Sequence, residues 1–361
     1  MKTSDFYYDL PPDAVAQEPV EPRDASRLLV LRQDPPVLED RVFRDLPELL
    51  EPGDLLVVND TRVLPWKLVG RRSTGGRVEC LILELREGEG VGFFRPGGKL
   101  KPGEPVEMEG GSLVAWMGRP LGEGKWAFRL ESPRGEELEV VLERVGRPPL
   151  PPYIKRDDQD PRLVRDKERY QTIFARSPGA VAAPTASLHF TPRVLRALKE
   201  RGVETARVTL HVGAGTFRPV KVERLEDHKM HAESFHLPGE TARAVAETRA
   251  RGGKVVAAGT TVVRVLETRA KPGGLVEEGA GWTDLFLYPG KSFQVVDALV
   301  TNFHLPGSTL LMLVCAFAGK ERVLAAYRHA LEKGYRFYSY GDAMLLFSAG
   351  SSFITKKICR E

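Results

Sequence analysis

Six of the seven histidines of this chain lie in its second half, between residues 179 and 305, among glycine, threonine and asparagine. Five of these six occur in four motif-like segments: GAVAAPTASLHFT with His189, TLHVGAGTFRPV with His211, DHKMHAESF with His228 and His231, and TNFHLPGSTLLM with His304; the sixth, His236, directly follows the third segment. Imidazole titrates near neutral pH, which suits general acid and base catalysis. The grouping therefore predicts an active site built from these segments.

One alternative for the histidines is a metal site. His228, His231 and Glu233 form an HxxHxE pattern that could bind zinc. No cysteine motif or further spaced ligand completes such a site, and the three cysteines are widely dispersed. Acid, base or hydrogen-bonding roles are therefore favoured, and a zinc-dependent hydrolase that uses His228, His231 and Glu233 stays an alternative.

The segment KVVAAGTTVVRVLE, residues 254–267, reads as a strand, a Gly-Thr-Thr turn and the start of a helix. Backbone amides and the hydroxyls of Thr260 and Thr261 would converge at that helix N-terminus, where an anion or a ribose could bind. Helix capping by these threonines is the alternative. Arg264 and Glu267 lie one turn apart and could form an ion pair or reach a ligand.

Three other segments carry ligand-binding chemistry. Gly213 and Gly215 would let the backbone approach a ligand, although HVGAGTF lacks the spacing of known nucleotide motifs. Asn302 and His304 follow the apolar run DALVT, and the carboxyl end of a parallel strand commonly opens on the active cleft. The tyrosines of YRFYSYGDAMLL, beside Asp342, could stack on a purine-like base or finish a core strand.

The elements that must position these residues change in character along the chain. From about Leu55 to Val145, short β-type runs separated by glycine turns, without a helical period, indicate a compact β-barrel that ends at the proline cluster 146–153. From residue 159 onward, the strand candidates ARVTL, KVVAAG, DLFLY and DALVT alternate with segments of helical periodicity, including PRVLRALKERG and KERVLAAYRHALEKG. This alternation predicts an α/β class with a layered, mostly parallel or mixed sheet.

The apolar runs LLVL and LLVV before residue 60 could return to the same sheet and make the barrel an insertion. We therefore expect an α/β catalytic domain of residues 1–60 and 151–346, an inserted all-β barrel domain of residues 61–150, and an atypical tail of residues 347–361. The 361 residues, of which 42% are hydrophobic, suffice for two domains. The apolar stretch 309–318 is too short to cross a bilayer, and the N-terminus lacks an apolar signal region, so a cytoplasmic protein is expected. A monomer is also expected.

The formal net charge of +4 permits a polyanionic partner without requiring one. Arg95, Lys99 and Lys101 in RPGGKLKPG, and Lys155 and Arg156 in PPYIKRDD, place cations on glycine- and proline-rich turns, where phosphate contacts are often made. A solvated charged surface is the alternative for each cluster. A non-catalytic RNA-binding protein would explain these turns but would leave the histidine segments without a role.

Taken together, the motifs resemble the S-adenosylmethionine:tRNA ribosyltransferase-isomerases of queuosine biosynthesis. The resemblance runs from FYYDLPPDAVAQEPVEPRDASRLLVL through VVNDTRVLP, PLPPYIKR and the histidine segments to VDALVTNFHLPGSTLLMLVCAFAG and YRFYSYGDAMLL. It implies transfer and isomerisation of the ribosyl moiety of S-adenosylmethionine onto 7-aminomethyl-7-deazaguanine at the tRNA wobble position. Epoxyqueuosine would form, adenine and methionine would be released, and S-adenosylmethionine would be consumed as cosubstrate without a further cofactor or metal.

The resemblance also implies roles for individual residues. The proton-transfer candidates are His189, His211, His231 and His304, with Glu233 and Asp342 as the nearest carboxylates. The residues expected to hold S-adenosylmethionine are Gly213, Gly215, Thr216, Thr260, Thr261, Arg264 and Asn302. The residues expected to contact tRNA are Arg95, Lys99, Lys101, Lys155 and Arg156. The chain departs from the family pattern at Ser187, where a glycine is expected, at Gly98, where a basic residue is expected, and in the tail from Phe347.

Overall fold

The computed structural model describes residues 1–33, 36–213, 215, 220 and 222–348. Thr216 and the tail beyond residue 348 lie outside the described residues. The strands form a nine-stranded mixed sheet, a closed six-stranded barrel and two small two-stranded sheets. This arrangement confirms the predicted class, an α/β protein with an additional all-β barrel.

In chain order, the strands are β1 Arg27–Gln33, β2 Pro36–Val42, β3 Leu55–Asn59, β4 Thr61–Val63, β5 Lys67–Arg72, β6 Arg77–Arg86, β7 Glu89–Arg95, β8 Pro105–Met108, β9 Leu113–Gly122, β10 Lys125–Glu131, β11 Ser177–Ala180, β12 Glu204–Leu210, β13 Glu233–Leu237, β14 Val255–Ala258, β15 Ala270–Lys271, β16 Leu275–Val276, β17 Gly279–Thr283, β18 Ala298–Asn302 and β19 Ala343–Phe347. The α-helices are α1 Leu46–Leu49, α2 Leu138–Val145, α3 Arg162–Arg169, α4 Pro192–Glu200, α5 Gly239–Ala250, α6 Thr260–Thr268, α7 Thr309–Ala318 and α8 Lys320–Glu332.

The large sheet has the order β17-β13-β12-β3-β14-β18-β19-β1-β2. Strands β12, β3, β14 and β18 are mutually parallel, β19 runs antiparallel to β18, and β1 is parallel to β19. Strands β1 and β3, which precede the barrel in the chain, are therefore part of this sheet. The four parallel strands direct their carboxyl ends toward the same edge.

The central strands are largely apolar because both faces of the sheet are covered. Every residue of β3, β14, β18 and β19 is buried. In β3, Leu55 and Val57 pack into one hydrophobic cluster, whereas Leu56 and Val58 pack into another. Alternate side chains of one strand thus fill two cores, on opposite faces of the sheet.

The barrel closes in the order β10-β7-β6-β5-β8-β9, with antiparallel neighbours throughout. Its interior is filled by alternate residues of the strands, for example Val78, Cys80 and Ile82 of β6, together with Phe94 and Phe128. Closure leaves these strands without a free edge. The barrel is therefore a separate hydrophobic core beside the large sheet.

Two predictions of secondary structure are wrong. DLFLY, residues 284–288, is not a strand. The Leu285 N–H donates to Thr283 Oγ1, and the Leu285 carbonyl accepts from the Arg264 side chain. Side chains therefore occupy the backbone N–H and carbonyl that would otherwise pair with a neighbouring strand. The stretch before the proline cluster contains helix α2, whose Val141 and Leu142 pack on the barrel core. With only two turns, α2 carries too little periodicity to be recognised.

Helix α7 is the apolar segment noted in the sequence, and it is ten residues long. Seven of its side chains belong to the same hydrophobic core as Leu55 and Val57, with Leu311, Met312 and Val314 fully enclosed. Among the described residues, no helix has both the length and the apolar character needed to span a membrane.

Candidate active site

A cavity of about 70 Å³ lies at the carboxyl ends of the neighbouring parallel strands β14 and β18. Thr260 and Thr261 line it from the first turn of α6, and Asn302 and His304 line it from the end of β18. Gly259 links β14 to α6 with φ near 104°, a conformation that favours glycine. Four of the residues expected at the site thus lie together because they follow the carboxyl ends of two neighbouring parallel strands.

The opposite wall of this cavity is formed by Tyr153, Thr185, Tyr338 and Ser339. The rings of Tyr153 and Tyr338 pack with centroids 4.7 Å apart, and the Tyr153 hydroxyl lies 2.6 Å from Ser339 Oγ. None of these four was among the predicted site residues. The tyrosines around position 338 gave an aromatic signal, whereas Tyr153 lies in the proline cluster, where no spacing pointed to the cleft.

His189 lies behind the cavity and not on its surface. It is 4% exposed, and its Nε2 accepts a hydrogen bond of 3.1 Å from the side-chain amide of Asn302. The neutral ring then carries its proton on Nδ1, which lies 2.8 Å from Ser26 Oγ. On the other side, Thr185 donates to Asn302 Oδ1 over 2.8 Å. Ser26, His189, Asn302 and Thr185 therefore form one buried hydrogen-bonded chain that ends at the cavity.

The environment of His189 keeps its imidazole neutral. Burial, together with the positive charges of Arg336, Arg169 and Arg23, lowers the pKa of His189 to about 3. A group with so low a pKa does not hold a proton at neutral pH. The geometry suits a hydrogen-bonding role for His189 better than a role as general acid.

His304 lines the cavity and is also buried. Its Nε2 is hydrogen-bonded to Thr301 Oγ1 over 2.8 Å, and its backbone N–H donates to the Tyr327 hydroxyl over 3.0 Å. Burial lowers the pKa of His304 to about 3. The side chain is therefore a neutral, fixed polar group in the wall of the cavity.

His211 is the most solvent-accessible of the histidines near the cavity. It follows β12 and precedes Val212, which lines the cavity, and its Nδ1 lies 2.8 Å from Thr61 Oγ1. Burial lowers its pKa, while the negative charge of Asp60 raises it. Gly179 packs so closely on the ring that an added Cβ would come within 2.9 Å. His211 is thus a partly exposed imidazole in a restricted orientation, which suits proton exchange.

Glu233 and Arg264 form a buried ion pair, with side chains that are 7% and 6% exposed. Glu233 Oε1 also accepts the Gly213 N–H over 2.8 Å, and Arg264 donates to the carbonyl of Thr283 over 2.8 Å. The suggested pair between Arg264 and Glu267 is wrong. Glu267 instead accepts backbone N–H groups of residues 294, 295 and 296.

The histidines of the HxxHxE pattern do not assemble a metal site in the structure. His231 is exposed and lies against Gly215, and His228 packs edge-on against Phe286, with ring centroids 5.1 Å apart. Among residues whose positions are described, no group of three His, Cys, Asp or Glu side chains is arranged to hold a metal ion. Because Glu233 is bound to Arg264, the zinc-hydrolase alternative gains no support.

Asp342 is buried and is not among the residues that line the cavity. Its Oδ1 accepts the N–H of Arg27 over 3.0 Å, and its Oδ2 accepts the N–H of Arg336 over 2.8 Å. The carboxylate thus ties β1 to the turn that carries Tyr338 and Ser339. This places Asp342 in a supporting position.

A larger cavity, of about 790 Å³, lies between the barrel and residues 147–163. Of the five cations expected to contact tRNA, Arg95, Lys155 and Arg156 line it, whereas Lys99 and Lys101 do not. Lys67, Arg147 and Arg162, which the sequence did not point to, also line it. Five acidic side chains share the lining: Glu79, Glu123, Asp157, Asp158 and Asp160. Lys67 is paired with Glu79, and Arg147 is paired with Glu109. Arg156 differs from its neighbours, because it forms an ion pair with Asp166 in which both side chains are almost fully buried.

The fold and the two cavities define an α/β enzyme with a compact uncharged cleft at the strand ends and, beside a β-barrel, a wider cavity lined by both cationic and acidic side chains. The family model described as "Queuosine biosynthesis protein" matches residues 3–346, and the chain belongs to that family. The resemblance inferred from the motifs is thereby confirmed.

Curated relatives and one solved structure agree with this assignment. An S-adenosylmethionine:tRNA ribosyltransferase-isomerase from Anaeromyxobacter is 56% identical over 353 residues, which are 97% of this chain and 100% of the relative. A protein of the same name from Moorella thermoacetica is 51% identical, over 96% of this chain and all of its own length. The crystal structure of an S-adenosylmethionine tRNA ribosyltransferase from Thermotoga maritima is 41% identical and covers 95% of this chain and 100% of its own, with a TM-score of 0.54.

Proposed function

We propose that this enzyme transfers and isomerises the ribosyl moiety of S-adenosylmethionine onto 7-aminomethyl-7-deazaguanine at the wobble position of tRNA. The products are epoxyqueuosine, adenine and methionine. The observation that carries the proposal is the identity above 50%, over nearly the whole chain, with ribosyltransferase-isomerases. The uncharged cleft offers a place for a small cosubstrate, and Arg95 and Lys155 at the larger cavity offer cations to a polyanion.

The reaction needs a base to remove a proton made acidic by the sulfonium, an acid for the departing adenine, and groups that orient the ribose while its ring opens. We assign the ribose hydroxyls to Thr260, Thr261 and Asn302, whose hydroxyl and amide groups line the cleft. His211 is the proton-transfer candidate, because its imidazole is partly exposed and oriented by Thr61. His304 contributes a neutral hydrogen-bonding group.

The remaining expected residues act on the site less directly in this proposal. Glu233 and Arg264 hold the backbone in place at Gly213. The Glu233 carboxylate accepts the Gly213 N–H while it is paired with the Arg264 guanidinium. Gly215 and His231, which lie against each other, would contribute beside Gly213, and Thr216 keeps its expected role in binding S-adenosylmethionine. Arg95 and Lys155 would contact tRNA phosphates, with Lys99 and Lys101 extending the positive surface.

We also propose that residues 1–60 and 151–346 form one catalytic unit into which residues 61–150 are inserted. The protein would act as a cytoplasmic monomer and would need no cofactor or metal beyond the S-adenosylmethionine that it consumes. Size-exclusion chromatography with light scattering tests the monomer, and activity after dialysis against a chelator tests the metal requirement.

The decisive experiment incubates the protein with S-adenosylmethionine and with tRNA that carries 7-aminomethyl-7-deazaguanine, followed by mass analysis of the nucleosides. We expect epoxyqueuosine in the tRNA and one free adenine per modification. A matched reaction with tRNA that carries guanine at the wobble position should give neither. The absence of both products from the complete reaction would overturn the proposal.

A further inference from the structure

Tyr338 adopts a left-handed backbone conformation, with φ at 72°. For a bulky aromatic residue this conformation is costly, and it persists only where the surrounding structure imposes it. Such strained residues occur preferentially at binding and catalytic sites. Tyr338 lines the cleft that also contains Asn302 and His304.

The turn that imposes this conformation is held from three sides. The Asp342 carboxylate accepts the N–H groups of Arg27 and Arg336, and the Asp342 N–H donates back to the Arg336 carbonyl over 2.7 Å. The Gly341 N–H donates to the Tyr338 carbonyl over 3.0 Å, and an added Cβ on Gly341 would come within 2.3 Å of the Arg336 carbonyl oxygen. The chain has no room to relax there.

The same turn is anchored to the active cleft. The Tyr338 N–H donates to the carbonyl of Phe303 over 3.2 Å, and Phe303 lies between Asn302 and His304. Tyr153 supports the turn from the other side through its ring contact with Tyr338 and its hydroxyl contact with Ser339 Oγ. The rings of Tyr153 and Tyr338 are therefore held in a fixed position relative to Asn302.

The chemistry of the cleft selects one part of a substrate. Among the described residues that line it, none is Lys, Arg, Asp or Glu, and its one histidine, His304, is neutral at physiological pH because burial lowers its pKa. A phosphate, a carboxylate or a sulfonium would find no countercharge there. A flat, uncharged heteroaromatic ring would find an aromatic wall together with the hydroxyl and amide groups of Thr185, Thr260 and Asn302.

We infer that the tyrosine wall, Tyr153 and Tyr338, binds a purine-type base in this cleft, and that Asp342 is the positioning residue that holds Tyr338 in place. The inference deepens the proposed function and rests on it for the identity of the base. Two substrates carry such a ring: the adenine of S-adenosylmethionine and the 7-aminomethyl-7-deazaguanine of tRNA. The tyrosine wall can hold only one of these two bases. Removal of an aromatic ring from it should therefore weaken the binding of that base and leave the binding of the other unchanged.

The test measures binding directly, by calorimetry of the full-length protein with free adenine and, separately, with free 7-aminomethyl-7-deazaguanine. Tyr338→Phe keeps the ring and should bind like the wild type. Tyr338→Asn removes the ring while it suits the left-handed backbone, and it should weaken the binding of one base by about tenfold or more, because stacking on an aromatic side chain contributes that much per base. Asp342→Asn, which loses one carboxylate acceptor, should weaken the same base.

Thermal unfolding identifies variants that have lost their fold, and Tyr153→Leu, which removes the other ring of the wall at a position without a left-handed backbone, replaces Tyr338→Asn if the latter does not fold. Equal affinity of wild type and ring-less variant for both bases would overturn the inference, as would a wild type that binds neither base. Because binding is read without turnover, a failure of the tyrosine wall is distinguishable from a failure of the proposed reaction. A protein that binds adenine through Tyr338 but forms no epoxyqueuosine would contradict only the proposed reaction.

Discussion

His189 Nε2 lies 3.1 Å from the side-chain nitrogen of Asn302, so the imidazole accepts the amide hydrogen of a residue that lines the cleft. The other ring nitrogen is bound to Ser26, and Thr185 donates to the amide oxygen of Asn302. The orientation of Asn302 is thereby fixed from both ends. His189 acts on the cleft through Asn302 and does not need to exchange a proton with a substrate.

Replacement of His189 should separate these two roles. Glutamine can present an acceptor near the position of Nε2, so His189→Gln should retain most of the rate of adenine release. His189→Ala leaves the buried amide of Asn302 without its acceptor, which costs about 1–3 kcal/mol and lowers the rate about 10- to 100-fold. The pH profile of kcat for His189→Gln should keep both limbs of the wild-type profile. Disappearance of one limb would instead show that His189 transfers a proton.

The two buried histidines also predict how stability depends on pH. The pKa values of His189 and His304 are about 3 in the folded protein, below the ordinary value of 6.5, because burial disfavours the charged rings. The unfolded chain therefore binds more protons between these values. Stability from this source is complete above pH 6.5 and is lost as the pH falls toward 3, by up to about 1.4 kcal/mol per pH unit for each ring.

Denaturant unfolding between pH 7 and 4 measures this dependence. His304→Gln should reduce the slope of the free energy of unfolding against pH by the contribution of one proton. An unchanged slope in His304→Gln would show that this ring is not held neutral by the fold.

The sequence predicted those parts of the structure that depend on the local order of apolar and polar residues. The apolar runs at residues 55–58 and 297–301 predicted buried strands, and the position of Asn302 after one of them predicted its place at a strand end. Periodicity, however, identifies which face of an element is buried and not which group lies opposite. The interposition of Asn302 between His189 and the cleft depends on where the Thr185–His189 turn packs against β18, which only the tertiary fold determines.

The ion pairs illustrate the same limit. Arg264 has Glu267 one helical turn away, and the helix alone makes that pair plausible. In the structure Arg264 turns toward Glu233, 31 residues away in sequence, because β13 and the end of β17 lie beside α6. The basic turns gave no indication that Arg156 is neutralised by Asp166 while Lys155 faces the larger cavity.

The buried pair of Glu233 and Arg264 should be important for stability. Glu233→Ala leaves the guanidinium of Arg264 buried without its carboxylate, and such a loss destabilises a fold by about 3–5 kcal/mol. The matched control is Glu136→Ala, which removes a solvent-exposed partner of Arg144 and should change the free energy of unfolding little. Glu233→Ala with unaltered stability but no turnover would point to a direct catalytic role for Glu233.

The exposed cations of the larger cavity predict how tRNA binding responds to salt. Each lysine or arginine that contacts a phosphate releases counterions, so its removal should lower the slope of log affinity against log salt by about 0.7–0.9. Arg95→Ala and Lys155→Ala should each show this reduction, because both side chains line the cavity. Lys271→Ala, on the small β15–β16 sheet and paired with Glu277, is the control and should leave the slope unchanged.

Arg156 provides the sharpest contrast with its neighbour Lys155. Its guanidinium is bound to Asp166 and to the carbonyl of Gln17 inside the protein, so it has little charge left for a phosphate. Arg156→Ala should therefore lower the free energy of unfolding by about 3–5 kcal/mol while leaving the salt slope of the folded fraction intact. Filter binding of tRNA across a range of salt concentrations, with unfolding measured on the same variants, separates the two effects. If Arg156→Ala alone reduced the slope and Arg95→Ala and Lys155→Ala did not, the larger cavity would not be the tRNA interface.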